Sequence, residues 1–417
     1  MKEVATGEKA KVIAVLTTKD DYAKEELERL VETAGGEVED AIFYTRKPDP
    51  ANYLGKGKLE KLKAMVEVYE ADLVVFDSEL TPSQQRNLQD VLDTRVIDRS
   101  ELILDIFAIH ATTREGKLQV ELAQLQYELP RLVGSGKVLS RLGGGIGTRG
   151  PGETKLETDR RRILRRISQL KKELKEVEVE REVQRKGRVE NHIPMVAIAG
   201  YTNSGKSTLL RALSNTDVLA ADQLFATVSP KSARVKLLSG REAVFVDTVG
   251  FIERLPTQLI ESFKSTLEEI AYSDLILVLG DLSNLKRLRR QLITVEQVLA
   301  EIGAGNIPRI LVLNKLDLLD HADIAAIEHE FPTAVFVSAK REIGLSTLLK
   351  HVERALAERE NLYELSIPWE KWGLFSSYRD HVTVISEQYE ENLIKVKFIC
   401  SPELYSKLSS LKLEGGG

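Results

Sequence analysis

The chain has 417 residues, 42% hydrophobic and 29% charged, with a formal net charge of −5. This composition excludes a disordered chain, and the length suggests roughly two to four domains. No apolar run approaches the roughly 20 residues that span a bilayer, and Met1 to Lys11 is too polar for a signal peptide, so a soluble, cytoplasmic protein is expected.

Residues 1–100 alternate strand and helix signals. Val12 to Leu16 is strand-like, and Tyr22 to Ala34 carries Leu27, Leu30 and Val31 at helical spacing. A strand over Glu37 to Tyr44, a helix over Leu59 to Tyr69, a strand over Leu73 to Phe76, a helix over Pro82 to Leu92 and a strand over Thr94 to Ile97 follow. Such alternation predicts a small parallel sheet. Tyr53 to Lys58, YLGKGK, interrupts it as a glycine- and lysine-rich loop, either a solvated turn or a contact for an anion or RNA. No acid–base pair or nucleophile stands out, so this part reads as binding rather than catalytic.

Residues 101–193 read as a helical hairpin. Leu118, Leu122, Leu125 and Leu129 form one seam, and Ile163, Ile167, Leu170, Leu174 and Val177 form the other. Pro130 is expected to end or kink the first helix. The link, Gly134 to Gly152, is too glycine-rich to pack alone and carries Lys137, Arg141 and Arg149. The second helix opens on Arg160, Arg161, Arg162, Arg165 and Arg166. Most charge runs are solvated helix faces, but a basic loop beside a basic helix in an acidic protein favours binding to a phosphate backbone. The net negative charge leaves any such contact to local patches and makes DNA an unexpected partner.

Residues 194–360 carry the chemistry. The apolar strand Met195 to Ala199 runs into Gly200-Tyr201-Thr202-Asn203-Ser204-Gly205-Lys206-Ser207 and a helical run from Thr208 to Leu213. The pattern G-x-x-x-x-G-K-S/T between strand and helix is a phosphate cradle. Its backbone N–H groups and the helix N-terminus face an anion, Lys206 reaches the β- and γ-phosphates, and the Ser207 hydroxyl ligates Mg²⁺. After the strand Ala243 to Val246, Asp247-Thr248-Val249-Gly250 places Asp247 to hold Mg²⁺ through water and the Gly250 N–H to meet the γ-phosphate. Thr227 is the candidate switch threonine for the same ion. The strand Ile310 to Leu313 runs into Asn314-Lys315-Leu316-Asp317, where the Asp317 carboxylate matches the N1–H and 2-amino donors of guanine. Ser338-Ala339-Lys340, after the strand Ala334 to Val337, completes the base pocket through backbone N–H groups. Motifs in this order at strand ends indicate a GTP/GDP site, because ligands of open α/β sheets bind there. Phe251 follows Gly250 where Ras-like sites place a water-orienting Gln, so unaided hydrolysis is expected to be slow. With no Gln after Gly250, the loop around Asn203 resembles those of potassium-dependent P-loop GTPases, which implies that Asn203 holds K⁺ against the phosphates; the alternative is that it hydrogen-bonds its own loop.

Residues 361–417 predict a small α+β domain, from alternation over His381 to Ile385, a run over Leu393 to Ile399 and a helix over Ser401 to Leu411. The single Cys400 excludes an internal disulfide and reads as a buried thiol, and the six histidines show no ligand spacing. The fold class is therefore a multidomain α/β chain: a small parallel α/β domain, a helical hairpin, a P-loop GTPase domain and a C-terminal α+β domain.

The blocks VIDRSELILDIFA (Val96 to Ala108), GKLQVELAQLQYELPRL (Gly116 to Leu132) and GGGIGTRGPGETKLETDRR (Gly143 to Arg161) closely resemble HflX-type GTPases. The resemblance extends over essentially the whole chain, including Gln223-Leu224-Phe225-Ala226-Thr227; it departs at Val228-Ser229-Pro230-Lys231, where bacterial members usually carry Leu-Asp-Pro-Thr. It implies a cytoplasmic GTPase, here expected as a monomer, that binds the large ribosomal subunit through its N-terminal and helical parts and acts on stalled or stressed ribosomes. It also implies hydrolysis stimulated by the ribosome. An NTP-driven factor remodelling rRNA during subunit assembly is the alternative, and a binding module with a degenerate site is disfavoured by the intact Lys206, Ser207, Asp247 and Asp317.

Overall fold

The computed structural model describes residues 9–132, 151–190, 193–214, 231–252, 264–358, 361–400 and 402–411. Two compact units result, the first built mainly from residues up to Glu178 and the second mainly from Val179 onward.

The first unit opens with β1 (Ala10–Leu16), α1 (Asp21–Thr33), β2 (Gly36–Phe43), α2 (Lys56–Tyr69), β3 (Leu73–Phe76), α3 (Pro82–Leu92) and β4 (Arg95–Asp98). The strands form a sheet in the order β2-β1-β3-β4 with every pairing parallel. Helix starts follow local chemistry. Asp20 caps α1 by accepting from Tyr22 N, and α3 begins with Pro82 inside a capping box between Thr81 and Gln84.

The expected loop from Tyr53 to Lys58 is corrected. Tyr53 and Leu54 are buried, and the Tyr53 ring meets Phe76 edge-on at 5.5 Å. Lys56, Gly57 and Lys58 form the exposed first turn of α2. The gain from burying Tyr53 and Leu54 outweighs the turn-like composition around them.

Helix α4 (Arg99–His110) was not anticipated. It buries Leu102, Ile103, Leu104, Ile106 and Phe107, so its apolar residues lie on more than one face and leave no clear stripe to read. Asp98, fully buried, caps it by accepting from Glu101 N. Arg99 is buried between Asp77 at 2.7 Å and Glu26 at 2.6 Å.

Helices α5 (Arg114–Leu132) and α6 (Pro151–Glu190) form the hairpin. Leu118, Leu122, Ile167 and Leu170 are the buried seam, flanked by Leu125, Leu129, Ile163 and Leu174. Arg166 clamps Glu121 with bonds of 2.6 and 2.7 Å, which hold the Glu121 carboxyl below its ordinary pKa. Pro130 does not stop α5, which runs on to Leu132. The next residue anchors that last turn: the Arg131 guanidinium donates to Gln85 Oε1, Leu80 O and Asp98 Oδ2 and lies 3.4 Å over the Tyr127 ring.

The second unit contains β5 (Met195–Gly200), α7 (Lys206–Ser214), β6 (Lys231–Lys236), β7 (Glu242–Asp247), α8 (Lys264–Ala271), β8 (Leu275–Asp281), α9 (Leu285–Glu301), β9 (Arg309–Asn314), α10 (His321–Glu330), β10 (Val335–Phe336) and α11 (Leu345–Ala357). Its sheet runs β10-β9-β8-β5-β7-β6, parallel except for β6 against β7. Strands β5 and β8 are buried along nearly their whole length, as a sheet covered on both faces requires. Beyond it, β11 (Asn361–Pro368), α12 (Trp369–Ser376), β12 (Thr383–Tyr389), β13 (Leu393–Cys400) and α13 (Pro402–Leu408) build a three-stranded antiparallel sheet in the order β11-β13-β12. Cys400 is buried there and takes part in no disulfide, as expected of a lone cysteine. The whole is the multidomain α/β architecture expected.

Candidate nucleotide-binding site

The site forms at the carboxyl ends of β5, β7, β8 and β9. At the end of β5 the backbone passes so close to its neighbour that a Cβ on Gly200 would lie 2.6 Å from Leu279 O. The loop then turns through left-handed Asn203 (φ +60°) and Gly205 (φ +94°) into α7. Buried Thr202 Oγ1 and Ser204 Oγ have no hydrogen-bond partner among the described residues. Unsatisfied polar atoms in a hollow kept open by glycine suit a polar ligand such as a phosphate chain.

Lys206, 6% exposed, donates from Nζ to Tyr201 O at 3.0 Å and Gly200 O at 3.2 Å. Burial pulls its pKa down to about 8, with the Asp247 charge opposing the shift. Ser207 Oγ donates to Asp247 Oδ2 at 2.6 Å, and Asp247 is fully buried at the end of β7. These are hard oxygen donors of the kind Mg²⁺ takes. Thr208 is half-buried in the first turn of α7. A Cβ on Gly250 would meet Thr202 Cγ2 at 2.8 Å and Lys206 Nζ at 3.0 Å, so the strand-end loop approaches the cradle as only glycine permits. Phe251 zips onto the same loop: its N–H donates to Gly200 O at 3.1 Å and its carbonyl accepts from Thr202 N at 2.8 Å. Its ring is fully buried among Ala197, Ala199 and Ile270. The position after Gly250 thus feeds the core instead of supplying a polar side chain.

At the other end, Asn314 joins two motifs. Its Nδ2 donates to Ser204 O at 2.9 Å and its Oδ1 accepts from Ala339 N at 3.0 Å. Asp317 Oδ1 accepts from Ser338 Oγ at 2.5 Å. The N–H groups expected from Ser338-Ala339-Lys340 are partly engaged, since Ser338 N donates to Ile343 O and Ala339 N to Asn314, while Lys340 is exposed. Lys315, in the left-handed region at φ +69°, donates from Nζ to Asp281 Oδ2 at 2.8 Å. Asp281 was missed in the sequence. An acid closing an apolar strand beside β9 was the available signal, since it pairs in register with Asn314.

Thr227 and the loop cations Lys137, Arg141 and Arg149 lie outside the described residues. Arg160, Arg161 and Arg162 are exposed on α6, with Arg161 paired to Glu157 at 3.0 Å, whereas Arg166 belongs to the hairpin seam. Among the described residues there is no group of His, Cys, Asp and Glu with metal-binding geometry and no helix long and apolar enough to cross a membrane.

Three families match consecutive stretches: one described as GTP-binding GTPase N-terminal over residues 21–108, one as GTP-binding GTPase Middle Region over 110–188, and one as 50S ribosome-binding GTPase over 195–315. A GTPase HflX from Caldanaerobacter subterraneus is 46% identical over 411 residues, covering 98% of this chain and 95% of the relative. The Escherichia coli GTPase HflX is 41% identical over 391 residues, covering 93% and 92%. A crystal structure of a GTP-binding protein from Sulfolobus solfataricus in complex with GDP is 26% identical and covers 84% of this chain and 99% of that one, with a TM-score of 0.44. With identity of this degree sustained over nearly the full length of both chains, and the nucleotide motifs converging at one edge of the sheet, this chain belongs to the HflX family of GTPases.

Proposed function

We propose that the chain is a nucleotide-timed ribosome factor. Its GTP form binds the large ribosomal subunit and splits or rescues stalled and stressed ribosomes, and hydrolysis ends the engagement. The nucleotide part of the reading rests on the Asn314 bridge, which ties the phosphate loop at Ser204 to the base loop at Ala339 and so makes one site of motifs distant in sequence, and the ribosome part is supported by the match to the 50S ribosome-binding GTPase family over residues 195–315.

In this reading Gly200 to Thr208 wrap the phosphates, and Lys206 exchanges its two carbonyl partners for phosphate oxygens. Ser207, Asp247 through water, and Thr227 would hold Mg²⁺. Bound Mg²⁺ neutralises charge on the β- and γ-phosphates. Asp317, steadied by Ser338, accepts from guanine, and the Gly250 N–H faces the γ-phosphate. Phe251 supplies no group to orient water, so turnover is slow until a partner orders the switch. The described arginines Arg160, Arg161 and Arg162, with Lys137, Arg141 and Arg149, contact rRNA phosphates. The four-part division at residues 100, 193 and 360 assigns ribosome contact to the first two parts, in a monomer working in the cytoplasm.

The test is co-sedimentation with separated ribosomal subunits. Pelleting with the large subunit in a non-hydrolysable GTP analogue and release in GDP is expected. Pelleting independent of nucleotide, or with the small subunit alone, would overturn the reading. Preference for precursor particles over mature subunits would favour rRNA remodelling in assembly. Turnover in K⁺ against Na⁺ at fixed ionic strength, in wild type and Asn203→Ala, decides the potassium role of Asn203.

A further inference from the structure

One charged group beside the guanine pocket takes no part in binding guanine, phosphate or Mg²⁺ as described above. Asp281 ends β8, and its register partner on β9 is Asn314, while the next residue, Leu282, donates its N–H to Asn314 O at 3.0 Å. Its carboxylate is fixed from two sides. Oδ1 accepts from Ser283 N at 2.8 Å, and Oδ2 accepts from Lys315 Nζ at 2.8 Å. The pair is partly buried, the Lys315 side chain 24% exposed and that of Asp281 15%. Lys315 itself stands in the left-handed region, a conformation that a residue with a Cβ keeps only where its surroundings impose it.

We propose that Asp281 is a positioning residue for the nucleotide base and acts through Lys315; this rests on the guanine-site reading above. The backbone of Lys315 is held between Asn314, whose side chain bonds both Ser204 and Ala339, and Leu316, whose N–H donates to Val337 O at 3.1 Å. Asp281 holds the ammonium. With both ends fixed, the four-carbon stem between them is ordered before any ligand arrives, and such a stem offers apolar surface that a flat ring can cover. A base therefore meets a stem already ordered and does not bear the entropy of ordering a free lysine. The effect falls on the ring, not on its donors, so it strengthens binding of any purine nucleotide and leaves the choice of guanine to Asp317.

The experiment is a double-mutant cycle in the full chain, read by GDP and GTP affinity and by steady-state GTP turnover. Asp281→Asn keeps an oxygen for Ser283 N and removes the charge that holds Lys315. It is expected to weaken GDP, GTP and ITP alike by about tenfold, the low end for a lost charge-assisted hydrogen bond, and to raise KM while kcat stays within about twofold. Lys315→Met is expected to weaken binding similarly, and adding Asp281→Asn to it should weaken binding no further. Independent, multiplying losses in the double variant, or wild-type affinity in Asp281→Asn, would overturn the proposal. A lowered melting temperature with unchanged KM would overturn it too, since that is the signature of a purely structural acid. Asp317→Asn serves as the separate arm. If it fails to move preference from GTP toward XTP, the guanine-site reading itself is wrong; if it succeeds while the cycle is additive, only the role of Asp281 is wrong.

Discussion

Replacing Gly205 with Ala strikes the point where the phosphate loop and the base loop touch. The native backbone there has φ +94°, and a Cβ would stand 2.3 Å from Asn314 Nδ2. The left-handed conformation costs an alanine about 1 kcal/mol relative to glycine. The clash is not relieved by a flexible chain end, because the Asn314 amide is the atom group that bonds Ser204 O at 2.9 Å and Ala339 N at 3.0 Å. Displacing it gives up two buried hydrogen bonds at about 1 kcal/mol each, for a total of about 3 kcal/mol. For a domain of this size that lowers the melting temperature of the nucleotide-free protein by about 6–12 °C, with GDP affinity falling alongside. Calorimetry of Gly205→Ala in the wild-type and Asn314→Ala backgrounds separates the contributions. With Asn314 truncated, the same substitution should cost only the backbone portion of about 1 kcal/mol. An equal cost in both backgrounds, or a wild-type melting curve for the single variant, would refute the attribution to the Asn314 bridge.

Lys206 makes the site sensitive to pH. Its folded pKa of about 8 lies below its ordinary value of 10.5, so between these values the unfolded chain binds more protons and stability rises with pH. Phosphate restores the ammonium, so GDP binding above pH 8 takes up a proton and weakens as pH rises; binding enthalpies at pH 8.5 that do not depend on the ionisation heat of the buffer would contradict this. For the basic helix, Arg160→Ala with Arg162→Ala should weaken ribosome binding and reduce its logarithmic salt slope by roughly 1–2 while sparing GDP affinity. Equal loss of GDP affinity would assign these arginines to the fold; Arg166 is left intact because it clamps Glu121.

Within the sequence, local patterns determined most of the elements and the chemical identity of the nucleotide site. The strand–glycine loop–helix from Met195, the acid at Asp247 and the Asn314 to Asp317 turn are short-range signatures, because a backbone that must approach a phosphate or a neighbouring strand permits few residue types. The hairpin seam was legible for a similar reason: one apolar stripe at helical spacing has one way to be buried. Tertiary structure decided what depends on contacts between distant residues. Helix α4 carries no stripe because it is buried on several sides, and Tyr53-Leu54 enter the core against a turn-like composition. Arg166 leaves the basic face for Glu121, and Arg131 anchors the turn at Pro130, where the sequence predicts an end or a kink. Asp281 shows the same division most sharply. Its residue type says only acid, and its partnership with Lys315 arises because β8 and β9 lie side by side in register, which no local pattern encodes.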